Sequence, residues 1–179
     1  LKCTPPVKSP GNRERLWRFL EEGVVHFVAS DHAPCPAHEK DTGSIWTDYA
    51  GMPGTGTLLP YMFSEGYMKG KIGLRRLVET TSGNAARFYG IFGRKGSIEP
   101  GKDADLVIID PADNWLVRGK DFLSKGKITP FEGMEFTGRV KYTLVRGRVV
   151  YADGEGIMVE PGYGRHIKRD GVSPGGGMH

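Results

Sequence analysis

The chain has 179 residues, 38% hydrophobic and 26% charged, with 25 Lys and Arg against 21 Asp and Glu. That length suits one domain, or one domain and part of another, with a core of useful size. Gly 27 and Pro 12 are numerous but follow no period, and the longest charge-free run, residues 49–64, is broken by Gly51, Pro53, Gly54, Gly56 and Pro60, so low complexity and a membrane span of about 20 apolar residues are both excluded.

The chain opens Leu1-Lys2-Cys3-Thr4-Pro5-Pro6, with no Met, no apolar signal region and no amphipathic leader. It is therefore expected to be a piece of something longer or a processed product. Pro5, Pro6, Pro10 and Gly11 make a loop. Asn12 is a suitable N-cap, and a helix is predicted over residues 13–22 with Leu16, Trp17, Phe19 and Leu20 as its apolar face and Gly23 as its terminator. Residues 24–29 are apolar and β-branched, the pattern of a strand buried on both faces.

That run stops at Ser30-Asp31-His32-Ala33-Pro34-Cys35-Pro36, and a polar, Gly-rich stretch follows to Gly56. A loop of this length is uncommon unless it serves a site. Helices are predicted over 58–69, over 74–80, and again from about Ser82 to a stop at Gly90. Beyond Gly96 the pattern changes to strands: 106–109, then 140–145 and 148–151 as a hairpin about Arg146-Gly147. Residues 173–179 read as a frayed tail.

Asp31 is the foremost candidate for chemistry. It stands at the C-terminal end of an apolar strand and opens the long loop, which in a parallel α/β barrel is the face where sites are built. A carboxylate there can ligate a divalent metal and accept a proton from water; equally, Asp can simply cap the following turn. His32 is its neighbour on a strand, so one of the two faces the centre and the other packs behind it. His38 reads as a solvated loop residue, and His26 as a core or interface histidine. Cys35 between prolines is a ligand, a substrate contact or an inert thiol. No HxH, CxxC, Gly-x-Ser-x-Gly or phosphate loop occurs. Metal hydrolysis needs about three protein ligands, so this chain supplies part of a site and the remainder is expected upstream.

Cys3 and Cys35 alone make no disulfide framework, and a reducing, cytoplasmic setting is expected. The net charge of +4 comes with basic clustering only near Arg165, Lys168 and Arg169, and no nucleic-acid reader motif is present. Neither a nucleic-acid partner nor a membrane is expected.

Several motifs recur here in a fixed order. They are Lys2-Cys3-Thr4-Pro5-Pro6, Asn12-Arg13-Glu14-Arg15-Leu16-Trp17, Ser30-Asp31-His32-Ala33-Pro34-Cys35 with Glu39-Lys40, Lys95-Gly96-Ser97-Ile98-Glu99-Pro100-Gly101-Lys102-Asp103-Ala104-Asp105-Leu106, and Thr129-Pro130-Phe131-Glu132-Gly133. In this succession the chain resembles the C-terminal portion of a cyclic amidohydrolase of the allantoinase, dihydroorotase and hydantoinase–dihydropyrimidinase group. The resemblance implies an α/β fold: the last part of a (β/α)8 barrel over residues 1–95, the C-terminal share of a small β-sandwich over 96–155, and an extension over 156–179. It implies a binuclear divalent metal centre, usually zinc, whose other ligands lie upstream. Asp31 maps onto the last-strand aspartate, the remaining ligand and the general base and acid of ring-amide hydrolysis. Thr4, Gly51 and Met52 correspond to positions that contact the substrate largely through backbone, Cys35 to a substrate-contacting position, and with Asp31 as the ligand His32 is left as the neighbour that packs in the shell behind it.

The motifs rank the substrates in the order allantoin, hydantoin or dihydropyrimidine, then dihydroorotate. Lys2-Cys3 and Pro34-Cys35 resemble allantoinases, Phe131-Glu132-Gly133-Met134 leans to hydantoinases, and Cys35 stands where dihydroorotases usually carry His. The implied partners are a small cyclic amide, the upstream part of the same polypeptide, and further copies in a dimer or tetramer. This chain by itself is expected to be inactive. A scaffold that has lost its metal ligands is the alternative of another class.

Overall fold

The computed structural model describes residues 2–169; the tail read as frayed lies outside them. Helix α1, Gly11–Glu21, starts two residues earlier than its cap residue predicts: Pro10 is the N-cap and Asn12 already lies inside, its N–H on Ser9 O at 3.0 Å. Proline suits this place because its fixed φ is helical and its missing N–H would have no partner there. Trp17 and Leu20, one turn apart, are buried, and Gly23 at φ +82° ends the helix as predicted.

The predicted strand 24–29 forms no ladder. Its one cross-chain backbone bond in this stretch beyond α1 is Val28 N–H to Thr80 O at 3.0 Å, and Val24 is 63% exposed. Apolar, β-branched residues are what a central strand requires, but strand structure also needs a neighbour. None lies beside 24–29 among the described residues, so no closed barrel is formed here.

Helix α2, Leu58–Tyr61, continues as wide π turns over Met62–Met68, and Met62 to Gly66 are all buried. Predicted breaks at Thr80 and Ser82 are absent. Helix α3, Leu74–Val78, runs through π turns at Glu79–Gly83 into α4, Asn84–Phe88, as one rod. The widening has a local cause: Thr80 Oγ1 donates to Arg76 O at 2.8 Å and Thr81 Oγ1 to Leu77 O at 2.7 Å, competing for the carbonyls of the preceding turn. Gly83 is there for a close approach, since a Cβ would sit 3.3 Å from Gly96 O.

The second half is an antiparallel meander, β1 (Leu106–Leu116), β2 (Glu135–Val145), β3 (Arg148–Ala152) and β4 (Gly156–Ile157), paired in that order. β1 and β2 are longer than predicted because β1 carries an irregularity between Asp110 and Asn114, at Pro111, which has no N–H for the ladder. The β2–β3 hairpin turns at Arg146 and Gly147, φ +52° and +77°, the two left-handed residues of a type I′ turn.

The two halves share a core. Trp17, Leu20, Met62, Phe63, Ile72 and Leu77 form it, with Ile109 of β1 packed against them. A run of aromatic rings then crosses to the sheet, with centroids Trp17–Tyr61 at 5.9 Å, Tyr61–Phe131 at 4.9 Å and Phe131–Phe136 at 5.7 Å. Phe136 is fully buried, and Thr137 N–H donates to Ser64 Oγ at 3.0 Å. No helix among the described residues is long and apolar enough to cross a membrane.

Candidate active site

At the end of 24–29 the backbone changes direction on one residue. Asp31 has φ +44°, a left-handed conformation that Asp tolerates better than most side chains. His32 then pairs with Met52 in a parallel bridge, and Ala33 N–H donates to Met52 O at 3.0 Å. The loop 51–54 is thereby laid against 30–33. Glycine is required at both contacts: a Cβ on Gly51 would lie 2.7 Å from Ala33 O, and one on Gly54 2.7 Å from Ser30 O.

The His32 ring holds this arrangement from behind. Its Nδ1 accepts the N–H groups of Gly54 at 3.0 Å and Thr55 at 3.2 Å. An accepting Nδ1 puts the ring proton on Nε2. Asp31 is exposed at the strand end. A groove of about 810 Å³ opens beside His32, Thr55, Trp115, Phe122, Arg139 and Tyr151, and Asp31 does not line it.

The remaining predicted site residues fall around the same loop system. Gly51 is buried and Met52 half-buried beside Ala33. Cys35 is 3% exposed, its backbone so close to Gly126 that a Cβ there would meet Cys35 O at 2.9 Å. Thr4 is exposed and joined to Pro5 by a cis peptide. His38 is exposed, as expected of a solvated residue; His26 is exposed too, rather than in the core, with its carbonyl accepting Asn84 Nδ2 at 2.8 Å.

Sequence reasoning missed the groups that tie these pieces together. Lys2 Nζ lies 2.6 Å from Asp48 Oδ2 and donates to Lys40 O at 2.7 Å, while Lys40 Nζ donates to Lys2 O at 2.5 Å. Asp48 also accepts from Thr42, N–H at 2.7 Å and Oγ1 at 2.9 Å. The Lys2 ammonium, and next the Thr42 N–H, hold the Asp48 carboxyl down at about 2. Lys2 and Lys40 both sit in the ordered motifs, but their contact spans 38 residues and leaves no local pattern.

No group of three or more His, Cys, Asp and Glu side chains converges as a metal cage among the described residues. Asp31 offers one carboxylate, against the roughly three protein ligands a catalytic divalent ion takes. The donor set therefore fits a single-ligand contribution and not a complete centre.

Residues 4–150 match the sequence profile of the amidohydrolase family. The chain is 39% identical to the L-hydantoinase of Paenarthrobacter aurescens over 171 residues, 94% of this chain and 37% of that protein. It is 40% identical to the allantoinase of Rubrobacter xylanophilus over 153 residues, 86% of this chain and 34% of the relative. Among solved structures, the L-hydantoinase (dihydropyrimidinase) of Arthrobacter aurescens superposes with a TM-score of 0.89 at 39% identity, covering 94% of this chain and 38% of the other. The dihydropyrimidinase of Brevibacillus agri gives 0.88 at 34% identity, covering 93% and 37%. The chain thus spans well under half the length of these relatives, and it belongs to the amidohydrolase family, in the allantoinase and hydantoinase–dihydropyrimidinase group.

Proposed function

We propose that the natural polypeptide carrying this chain is a divalent-metal-dependent hydrolase of the ring C–N bond in cyclic amides, with Asp31 as one metal ligand and as the proton carrier. The reading extends the (β/α)8 expectation: residues 24–29 are its last barrel strand, residues 1–95 the end of the barrel and 96–155 a share of the sandwich. The observation that carries it is Asp31 itself, turned at φ +44° on the end of an apolar extended segment and backed by loop 51–54.

The chemistry assigned to this chain is proton handling and positioning. A divalent metal, zinc by family, would when bound polarise the substrate carbonyl and acidify water. The Asp31 carboxylate takes a proton from the attacking water and returns it to the ring nitrogen as the C–N bond breaks. Thr4, Gly51 and Met52 present backbone groups to the ring, which has alternating donors and acceptors. His32 keeps Gly54 and Thr55 in place behind them. The substrate class is a cyclic ureide, allantoin before hydantoin or dihydropyrimidine, and dihydroorotate last.

The test is hydrolysis of a panel of these amides by the natural polypeptide, before and after chelation. Activity lost on chelation, restored by zinc, and reduced about 10²–10⁴-fold by Asp31→Asn is the expected result. A polypeptide that hydrolyses none of the panel with its metal loaded would refute the proposal and leave the scaffold reading.

A further inference from the structure

The reciprocal contacts of Lys2 and Lys40 are more than the folding of an exposed loop requires. Each ammonium donates to the other residue's carbonyl, so the two backbones are crossed and fastened at two points. Lys2 is fixed a third time by Asp48, whose side chain is only 3% exposed, and reaches Asp41 Oδ1 at 3.3 Å. An ion pair with one partner this well covered is screened less than a surface pair. Asp48 is itself held from the other side by Thr42, and Tyr49 N–H donates to Glu39 O at 2.8 Å. The Tyr49 ring borders Gly51, where a Cβ would fall 2.8 Å from Cε1.

These contacts connect two segments whose only regular structure is one 3-10 turn, Ala37–Lys40, which ends on the clasp residue Lys40. One is Lys2-Cys3-Thr4, where Thr4 is exposed; the other is the loop from Ala33 to Gly51, which follows His32, the bridge partner of Met52, and whose first residue donates to Met52 O. We infer that the Lys2–Lys40–Asp48 clasp is a positioning device that sets the Thr4 backbone at a fixed distance from Asp31, and so fixes the substrate ring. The inference rests on the proposed cyclic-amide hydrolysis. Lys2, Lys40 and Asp48 touch no reacting atom; they act through Thr4. Contacts to the ring away from the breaking bond are made equally in the ground and transition states. Losing them raises KM and leaves kcat nearly unchanged.

The experiment compares the natural polypeptide with its Lys2→Met, Asp48→Asn and Lys2→Arg variants on the best cyclic amide, with thermal melts on each. Lys95→Met, which breaks the separate Lys95–Asp103 pair, is the control for losing an ion pair as such. The expected result is a KM raised about tenfold in Lys2→Met and Asp48→Asn, kcat within about threefold, and recovery of most of the KM by Lys2→Arg. Lys95→Met should leave KM alone. Unchanged KM in Lys2→Met, equal losses in kcat and kcat/KM, or a KM change matched by Lys95→Met would each overturn the inference while leaving the hydrolase reading intact. A wild-type polypeptide inactive on every amide would instead remove that reading, and the inference with it. Should Lys2→Met fold poorly, Asp48→Asn with Lys2→Arg carries the same comparison.

Discussion

Asp48 sets an acid limit on the loop that carries the clasp. Its carboxyl is held at about 2 in the folded chain against an ordinary 3.8, first by Lys2 and then by Thr42 N–H. A depressed folded value means that its contribution is complete above the ordinary carboxylate range and is lost as pH falls through about 2. The stability difference between wild type and Asp48→Asn should therefore be constant near neutrality, shrink from about pH 4 downward and vanish near pH 2. Denaturant melts at a series of pH values read this directly; a difference that persists unchanged to pH 2 would show that Asp48 acts by packing. Single residues were legible in the sequence where their role is local. Asp31 and His32 stand out because an apolar run ends just before them, but their directions are set by the left-handed turn at Asp31 and not by the alternation of a strand. Lys2 and Asp48 were not legible, because each is an ordinary surface charge until the fold brings them together.

At the scale of elements, one of the tightest places where the two halves meet is on β2. Gly138 of β2 has φ +92°, and a Cβ there would overlap the Phe63 ring on the π turns after α2. Gly138→Ala combines a left-handed penalty with overpacking, so a loss of about 2–4 kcal/mol is expected. Unfolding monitored by Trp fluorescence suits it, since Trp115 Nε1 donates to Gly138 O at 3.1 Å. A loss under about 0.5 kcal/mol, the range of neutral surface changes, would mean that the sheet slides on the helices without cost. Which elements were legible follows the same physics. The Arg146-Gly147 hairpin was found because its turn chemistry is contained in two residues. The rod 74–88 was divided in error between Thr80 and Ser82, where Thr80 and Thr81 bond the carbonyls of the preceding turn and widen the helix without ending it. The pairing of 24–29 is a property of neighbours, and apolar content alone does not supply them.

The molecule as a whole exposes several large apolar side chains on neighbouring segments. Val24 is 63% exposed, Leu74 52%, Val78 51% and Phe88 66%. Phe27 meets the rings of the rim pair Phe88 and Tyr89, tilted at 5.2 Å and edge-on at 6.2 Å. Apolar residues scattered singly on a surface mean little, but these sit on 24–29 and on the rod 74–88, which Val28 N–H to Thr80 O ties together, and no strand pairs with 24–29 among the described residues. Under the proposed barrel reading their cover would come from the part of the relatives that this chain does not span, since it covers 34–37% of the length of the L-hydantoinase and the allantoinase. The 179-residue chain expressed by itself is thus expected to associate as its concentration rises and to hydrolyse no cyclic amide. Sedimentation over a hundredfold concentration range, together with the amide panel in excess zinc, measures both. Monomers at every concentration would show that the exposed faces are stable in water, and metal-dependent turnover would show that Asp31 needs no ligands from outside these residues. Addition of a separately produced upstream segment tests the converse. If the open edge beside 24–29 is the seam of one barrel, association should give way to a defined heterodimer, and hydrolysis should appear only in that species.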